Sequence, residues 1–324
     1  MAYGPTTYIV LNLILLVTVW LTVSLRLYSR IILQSGPFAD DIFTIGSTIV
    51  YTVFAVLFVY GAARCGLGRH MFELLEQTRI EGMKVFIIIQ LLYAVATLLT
   101  KISSTLTLFR IVQANIYRYV LYFLIITGII VTVIEFSYVL FACRPISLSW
   151  QYYGSNPPPV DSCSSVAAML AVGMIHGAWV IVADVILGLV IPGLLLYGLQ
   201  MSWKTKMSVL FLLGLGSLSI IATSIRLPYL SRVTVEEPLY TNSPALLWAI
   251  VEVSISIICA AAATWKPILL KIGIITRSEF GTIERTTNVK LSERLAHKWP
   301  KLPVRSSLIR HGRMEQNSSN ENIL

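Results

Sequence analysis

Glu135, Asp184, Arg226 and Glu252 stand inside runs that are otherwise apolar enough to cross a bilayer. An ionisable group at such depth is costly and marks a functional site by default, because it must face protein or water. Clustered carboxylates hold protons more tightly, which suits a proton relay or general acid–base work. A carboxylate set against a guanidinium forms an ion pair that fixes helix packing or receives a polar ligand. Asp184 lies near the middle of AVGMIHGAWVIVADVILGLVIPGLLLYGLQM, with Pro192 two turns later. That run exceeds the roughly 20 residues a hydrocarbon core requires. The proline removes one helical hydrogen bond and can bend the helix.

Depth places these groups together. Counting a helical rise of about 1.5 Å per residue from each basic boundary puts Glu135 roughly 24 Å up, Asp184 about 22 Å and Glu252 about 21 Å. Arg226, at roughly 27 Å, is long enough to reach down to them. The expected arrangement pairs Arg226 with Asp184, with Glu252 beside them, in the outer half of the membrane. Trp179, Trp248 and Tyr93 are candidates to wall a pocket there. Tryptophans near a boundary also act as interfacial anchors. Lys101, only about 12 Å up, is expected to snorkel inward and stay out of the layer. A structural polar cluster, an outward-facing ligand pocket and a proton relay all remain open.

The elements that position these residues are membrane helices. The chain has 324 residues, of which 56% are hydrophobic and 13% charged, and its mean hydropathy is +0.76. Soluble domains carry about 25% charged residues, so the class is an all-α, polytopic membrane protein. The spacing predicts seven spans: Thr7–Leu25, Asp41–Ala63, Val85–Phe109, Tyr119–Val139, Ala171–Leu199, Ser208–Pro228 and Ala245–Trp265. The first has no basic leader or small-residue cleavage site and reads as a permanent span. Residues 1–270 form the membrane domain and 271–324 a basic tail expected to be disordered and cytoplasmic. From Lys266 onward the chain holds 11 of its 25 Lys+Arg and 5 of its 16 acids. This basic excess beside a last span places the tail inside and the N-terminus outside. It argues for anionic lipid as the partner and against nucleic acid.

That orientation puts Arg26, Arg30, Arg110, Arg118, Lys204 and Lys206 on the inner face as candidates for coupling to a cytoplasmic signalling partner. Asp40 and Asp41 open the second span, where carboxylates cap free N–H groups and meet the helix dipole. A short interfacial helix is expected over Met71–Thr78, with Phe72, Leu74 and Leu75 as its apolar side. Cys143 and Cys163 share an outer loop rich in proline and aromatics and are expected to pair, with Cys65 as an alternative partner. Cys259 reads as a small apolar residue of the last span. There is no Walker loop, Rossmann fingerprint, HExxH or GxSxG, and no convincing internal repeat of the kind inverted-repeat transporters carry.

The combination of motifs resembles the fungal rhodopsin-domain integral membrane proteins, the SAT4 family, related to the Pth11-like seven-transmembrane receptors. The likeness runs over about residues 20 to 270. It rests on Arg26, Ser29, Arg30 and Asp40-Asp41, on Gly66-Leu67-Gly68-Arg69-His70, and on Lys101, Ser103 and Phe109-Arg110-Ile111. It continues through Cys143-Arg144-Pro145, Trp150 and Cys163, then Asp184, Pro192, Leu199-Gln200-Met201, Lys206, Gly216 and Arg226, and ends with Trp248, Glu252, Cys259 and Pro267. Ala263 and Val180 depart from it, standing where such proteins commonly have a proline and an asparagine. The resemblance implies a receptor-like seven-helix bundle. Its function is divided between sensing surface cues and a place in secondary-metabolite gene sets. The expected function is a receptor-like protein with an outward-facing polar pocket for a small lipophilic ligand. The alternatives are an accessory protein or acid–base enzyme of a secondary-metabolite pathway, and then a transporter. No cofactor is expected. Retinal is rejected because a Schiff-base lysine belongs inside the last span, and here the nearby lysine is Lys266, at the membrane edge.

Overall fold

A computed structural model describes residues 5–33, 39–112, 115–153, 163–197, 203–232 and 237–265. The helices are α1 (Pro5–Tyr28), α2 (Ala39–Arg64), α3 (Glu76–Ile111), α4 (Asn115–Leu140), α5 (Leu148–Gln151), α6 (Val166–Asp184), α7 (Ile191–Tyr197), α8 (Trp203–Leu230), α9 (Pro238–Thr241) and α10 (Ser243–Ala262). Among the described residues there is no strand, only an isolated bridge between Cys143 and Cys163. The protein is an all-α, multi-pass membrane protein with a receptor-like helical bundle. Among the described residues, six helices are long and apolar enough to cross a membrane: Thr6–Ile32, Ala39–Arg64, Glu76–Arg110, Asn115–Leu140, Ala167–Leu194 and Pro238–Ala262. A further long helix, α8, has 28 residues and packs against α6 and α10.

Burial shows how the bundle is arranged. In the apolar window of α10, 67% of residues are buried, against 28% in α1 and in α4. So α10 runs through the centre, while α1 and α4 turn apolar side chains outward to lipid. Rows such as Ile126, Ile130, Val133 and Ile134 on α4 are exposed for that reason. The main core packs Tyr51, Phe54 and Phe58 of α2 against Ile89 and Tyr93 of α3 and Ile250 and Ile257 of α10. A second core gathers Leu121 and Leu124 of α4 with Ala183 and Leu187.

The bend expected at Pro192 takes a specific form. Val185–Val190 is a π-helical turn that starts directly after Asp184 and leads into α7. Pro192 has no N–H, and its ring crowds the carbonyl four residues back, at Gly188. The widened turn relieves this, and the Ile191 N–H bonds the Ile186 carbonyl, five residues back. The same turn brings Gly188 against α8. A Cβ on Gly188 would lie 3.1 Å from the Cα of Gly216, so both positions must be glycine for the backbones to touch.

The end of the bundle that carries the Cys143–Cys163 disulfide is roofed by short elements. The bond is present as expected, closing a sequence separation of 20, and Cys65 is a free, buried thiol that burial holds in its protonated form. α5 packs on α3, and Trp150 and Tyr153 pack against the main core. The Lys84 ammonium sits 5.7 Å from the Trp150 ring centre, and burial pushes the Tyr153 phenol up to about 12. Gly66 and Gly68, at φ of 72° and 87°, turn the chain so that the Gly68 N–H donates to the Leu239 carbonyl at 3.0 Å. The interfacial helix expected over Met71–Thr78 is a single 3-10 turn, Met71–Glu73, after which α3 begins at Glu76. Met71 is buried and Leu74 packs on the core, whereas Phe72 and Leu75 are exposed, so the expected apolar side is split. The tail from residue 266 lies outside the described residues.

Candidate functional site

Buried polar side chains form three groups along the bundle. Arg26 dominates the group at the end opposite the disulfide. Its Nε donates to Asp41 Oδ1 at 2.9 Å, its Nη2 to Asp40 Oδ2 at 2.7 Å, and its Nη1 to the Ala260 carbonyl at 2.5 Å. Arg30 Nη2 reaches the same Asp40 oxygen at 2.9 Å, and Thr107 of α3 donates to it at 3.1 Å. The planar guanidinium fork is suited to binding two carboxylates at once. The network ties α1, α2, α3 and α10 together. Asp40 and Asp41 do sit in the first turn of α2, but their charge is spent on arginine. Arg26 and Arg30, expected on a coupling surface, are only 0% and 3% exposed. Arg110 and Arg118 are exposed, and Arg118 Nε donates to the Val112 carbonyl at 3.3 Å. The side chains of Lys204 and Lys206 lie outside the described residues.

The middle group centres on Asp184. Lys101 Nζ donates to Asp184 Oδ1 in a buried ion pair, and it reaches Ser256 Oγ of α10 at 3.5 Å. Ser219 Oγ of α8 donates to Asp184 Oδ2 at 2.9 Å and lies 2.9 Å from Ser256 Oγ. The counter-ion of Asp184 is therefore Lys101, not Arg226, and Lys101 belongs to the buried set rather than snorkelling to the edge. Depth counting fails here because it fixes Cα heights alone. A lysine carries its charge on a long flexible stem, and that stem runs toward Asp184.

The third group is nearer the disulfide end. Tyr93 of α3 donates through its hydroxyl to Glu252 Oε1 at 2.8 Å. The Arg226 guanidinium stacks 4.4 Å from the Tyr93 ring centre, and its Nε is 3.3 Å from Glu252 Oε2. Glu135 Oε2 of α4 lies 3.0 Å from Nδ1 of His176 on α6. His176 meets the Tyr93 ring edge-on and lies roughly parallel to Trp179, whose Nε1 donates to Thr127 at 3.1 Å. Glu135, His176, Arg226 and Glu252 are 4%, 0%, 7% and 1% exposed. Glu135 Oε2, both His176 nitrogens, Arg226 Nε and Glu252 Oε2 make no hydrogen bond among the described residues, because the N–H directions miss the nearby oxygens. The 3.3 Å approach of Arg226 to Glu252 is thus an electrostatic contact, the 3.0 Å approach of His176 to Glu135 is one only when the imidazole is protonated, and both leave directional bonding capacity over. Such a cluster can exchange partners with a polar group or hold a shared proton.

The expected layer is accordingly divided. Glu135, Arg226 and Glu252 come together with Trp179 at the edge, while Asp184 belongs to the Lys101 group. Trp248 is half-buried on α10, one turn from Glu252 toward the disulfide end. The residue that sequence reasoning overlooked is His176. Its signal was the spacing His176, Trp179, Val180, Ala183, Asp184, which places the histidine on the same helical stripe as the aspartate.

An all-helical bundle with buried ion layers and a disulfide-pinned roof defines a polytopic membrane protein of receptor-like build. The chain belongs to the fungal rhodopsin domain family, whose model matches residues 25–271. It is 23% identical over 250 residues to Receptor GIN3 of Arthrobotrys oligospora, covering 75% of this chain and 57% of that protein. It is 23% identical over 303 residues to the polyenoic acids biosynthesis gene cluster protein Ba17b of Metarhizium anisopliae, covering 90% of this chain and 80% of the relative. Fugralins biosynthesis cluster protein 2 of Gibberella zeae is 29% identical over 113 residues, 33% of this chain and 27% of that one. The chain thus spans little more than half the length of the receptor it matches. No solved structure matches.

Proposed function

We propose that this chain is a receptor-type membrane protein. It detects a small lipophilic or surface-associated cue and relays it across the bilayer by repartnering its buried ion layers. The observation that carries the reading is the cluster of Glu135, His176, Arg226 and Glu252, almost fully buried yet holding polar atoms without a directed hydrogen bond. A cluster built only to fix packing gains most when every donor and acceptor is satisfied. Partly satisfied charges at the meeting of α3, α4, α6, α8 and α10 suit a site that changes state. The π-turn beside Asp184 adds an adjustable joint, since such turns are frequent at functional positions. The similarity to a protein named as a receptor favours the same reading. The N-terminus and disulfide end face outward, and the exposed Arg110 and Arg118 face a cytoplasmic partner.

A second reading rests on the Glu135–His176 contact, a buried acid and imidazole 3.0 Å apart, which is the pairing a proton-transferring enzyme of a biosynthetic pathway uses. The relatives named for biosynthetic clusters favour it. The two readings separate in a strain from which the gene is deleted. The receptor reading expects a lost response to the surface or chemical cue, with the biosynthetic intermediates still converted. An accumulated precursor that disappears when the purified protein is added would replace it with the enzyme reading.

A further inference from the structure

We propose that His70 is a proton-operated latch, which fastens the turn between α2 and α3 to the α9 segment when the medium at the disulfide end is acidic. The imidazole is held from three directions. Its Nδ1 lies 2.8 Å from Glu237 Oε2. Its ring stacks on Tyr240 at 3.8 Å between centres, with 26° between the planes, and on Phe72 at 5.2 Å. Glu237 directly precedes α9 and Tyr240 lies within it, so the latch joins parts of the chain 167 residues apart.

The neighbouring contacts show what the latch holds. The Gly68 N–H donates to the Leu239 carbonyl at 3.0 Å, and a Cβ on Gly68 would lie 3.5 Å from the Tyr8 ring and 3.6 Å from Ser243 Oγ. The turn is therefore seated on α1, on α9 and on the first residue of α10. Leu67 and Met71, on either side of it, are buried in the main core. Lifting the turn would uncover that core and free the start of α10, the central helix that carries Glu252 and Ser256.

The chemistry gives the latch its sign. A carboxylate only accepts, so His70 Nδ1 carries a hydrogen and Nε2 is the nitrogen left to take up a proton. The side chains of His70 and Glu237 are 36% and 27% exposed, so water delivers that proton directly. Histidines in general change charge between about pH 5 and 8, where carboxylates are ionised. Proton uptake converts a neutral donor into a charge-assisted one and sets a cation between two aromatic faces. Among the described residues, Glu237 and Tyr240 of the α9 segment are the titratable groups brought against the ring. Arg69 and Glu73 flank it on its own turn, and Glu236 lies outside the described residues. The latch thus tightens as the pH falls and loosens as it rises. Because the pair is partly open to water, its strength is modest and governs local opening of the turn rather than unfolding of the bundle. That the latch meets external protons rests on the receptor reading and its orientation. The latch itself is read on the purified chain, so the two can fail separately.

The test is hydrogen–deuterium exchange of the full chain in nanodiscs at about pH 5.5 and about pH 8, corrected for the intrinsic effect of pH on exchange. Protection of residues 66–72 and 238–242 should be about fivefold greater at the acid pH. His70→Gln keeps a polar side chain that cannot take the proton, and it should abolish the difference. Glu237→Gln should reduce it to about twofold, the part left to the aromatic faces. Both sites are more than a quarter exposed, so neither change threatens the fold. Equal protection at the two pH values in the unaltered chain overturns the proposal. So does a difference that survives His70→Gln, or one that stays undiminished in Glu237→Gln.

Discussion

Removing Lys101 alone should destabilise the bundle more than removing Lys101 and the charge of Asp184 together. The two residues are 5% and 8% exposed, and they join α3 to the α6 limb. Breaking a buried pair by deleting one partner costs about 3–5 kcal/mol, because a charge is left unpaired in low dielectric. Lys101→Met and Asp184→Asn should therefore each cost about that much, and additive behaviour would give the double variant a loss of about 6–10 kcal/mol. In the double variant no isolated charge remains. The amide that replaces the Asp184 carboxylate keeps an oxygen to accept from Ser219, and Ser219 retains Ser256 at 2.9 Å. The remaining loss should be about 1–2 kcal/mol, the size of one or two ordinary hydrogen bonds. The coupling is then about 4 kcal/mol or more, read from thermal unfolding in detergent and from folded yield on gel filtration. The Arg226→Met with Asp184→Asn cycle should couple far more weakly, since Arg226 faces Glu252 and Tyr93. Additive losses in the Lys101 cycle, or stronger coupling in the Arg226 cycle, would refute the pairing described above.

Arg26→Ala should lower stability by about 3–5 kcal/mol, because Asp40 and Asp41 lose a shared partner in a closed site; the same unfolding assay measures it. Peptide mapping without reductant should recover Cys143 joined to Cys163 and Cys65 free, and Cys143→Ser should cost roughly 3 kcal/mol from the released loop. Gly188→Leu should cost at least about 1–3 kcal/mol by forcing the π-turn away from Gly216, whereas Gly193→Ala, where a Cβ meets nothing within 4 Å, should be neutral or stabilising.

The membrane class, the helix order and the disulfide were legible because each rests on a local pattern. Apolar runs of membrane length announce helices, and two cysteines in one loop announce a bond. Partner choice among the buried charges was not legible. Asp184 and Arg226 share a depth, yet which faces meet depends on helix rotation and on the π-turn that Pro192 imposes after Asp184, and neither is a property of spacing. Arg26 and Arg30 misled for a related reason. A basic residue at a helix end reads as surface, and only the folded contact of α1 with α2 and α10 reveals that Asp40, Asp41 and the Ala260 carbonyl enclose it. His176 was visible in the stripe it shares with Asp184, but its proximity to Glu135 required α4 to be in place.

A Glu135, His176, Arg226 and Glu252 cluster that transmits a signal, rather than merely holding helices together, is lost to function when its charges go even if the fold survives. The most direct measurement replaces the chromosomal gene with Arg226→Met/Glu252→Leu, a change that removes both charges at once, and scores folded protein in the membrane beside the response to the cue. The expected result is near-normal folded protein and an absent response. A strain that restores both folding and response with the charges gone would contradict it and leave the cluster a purely structural role.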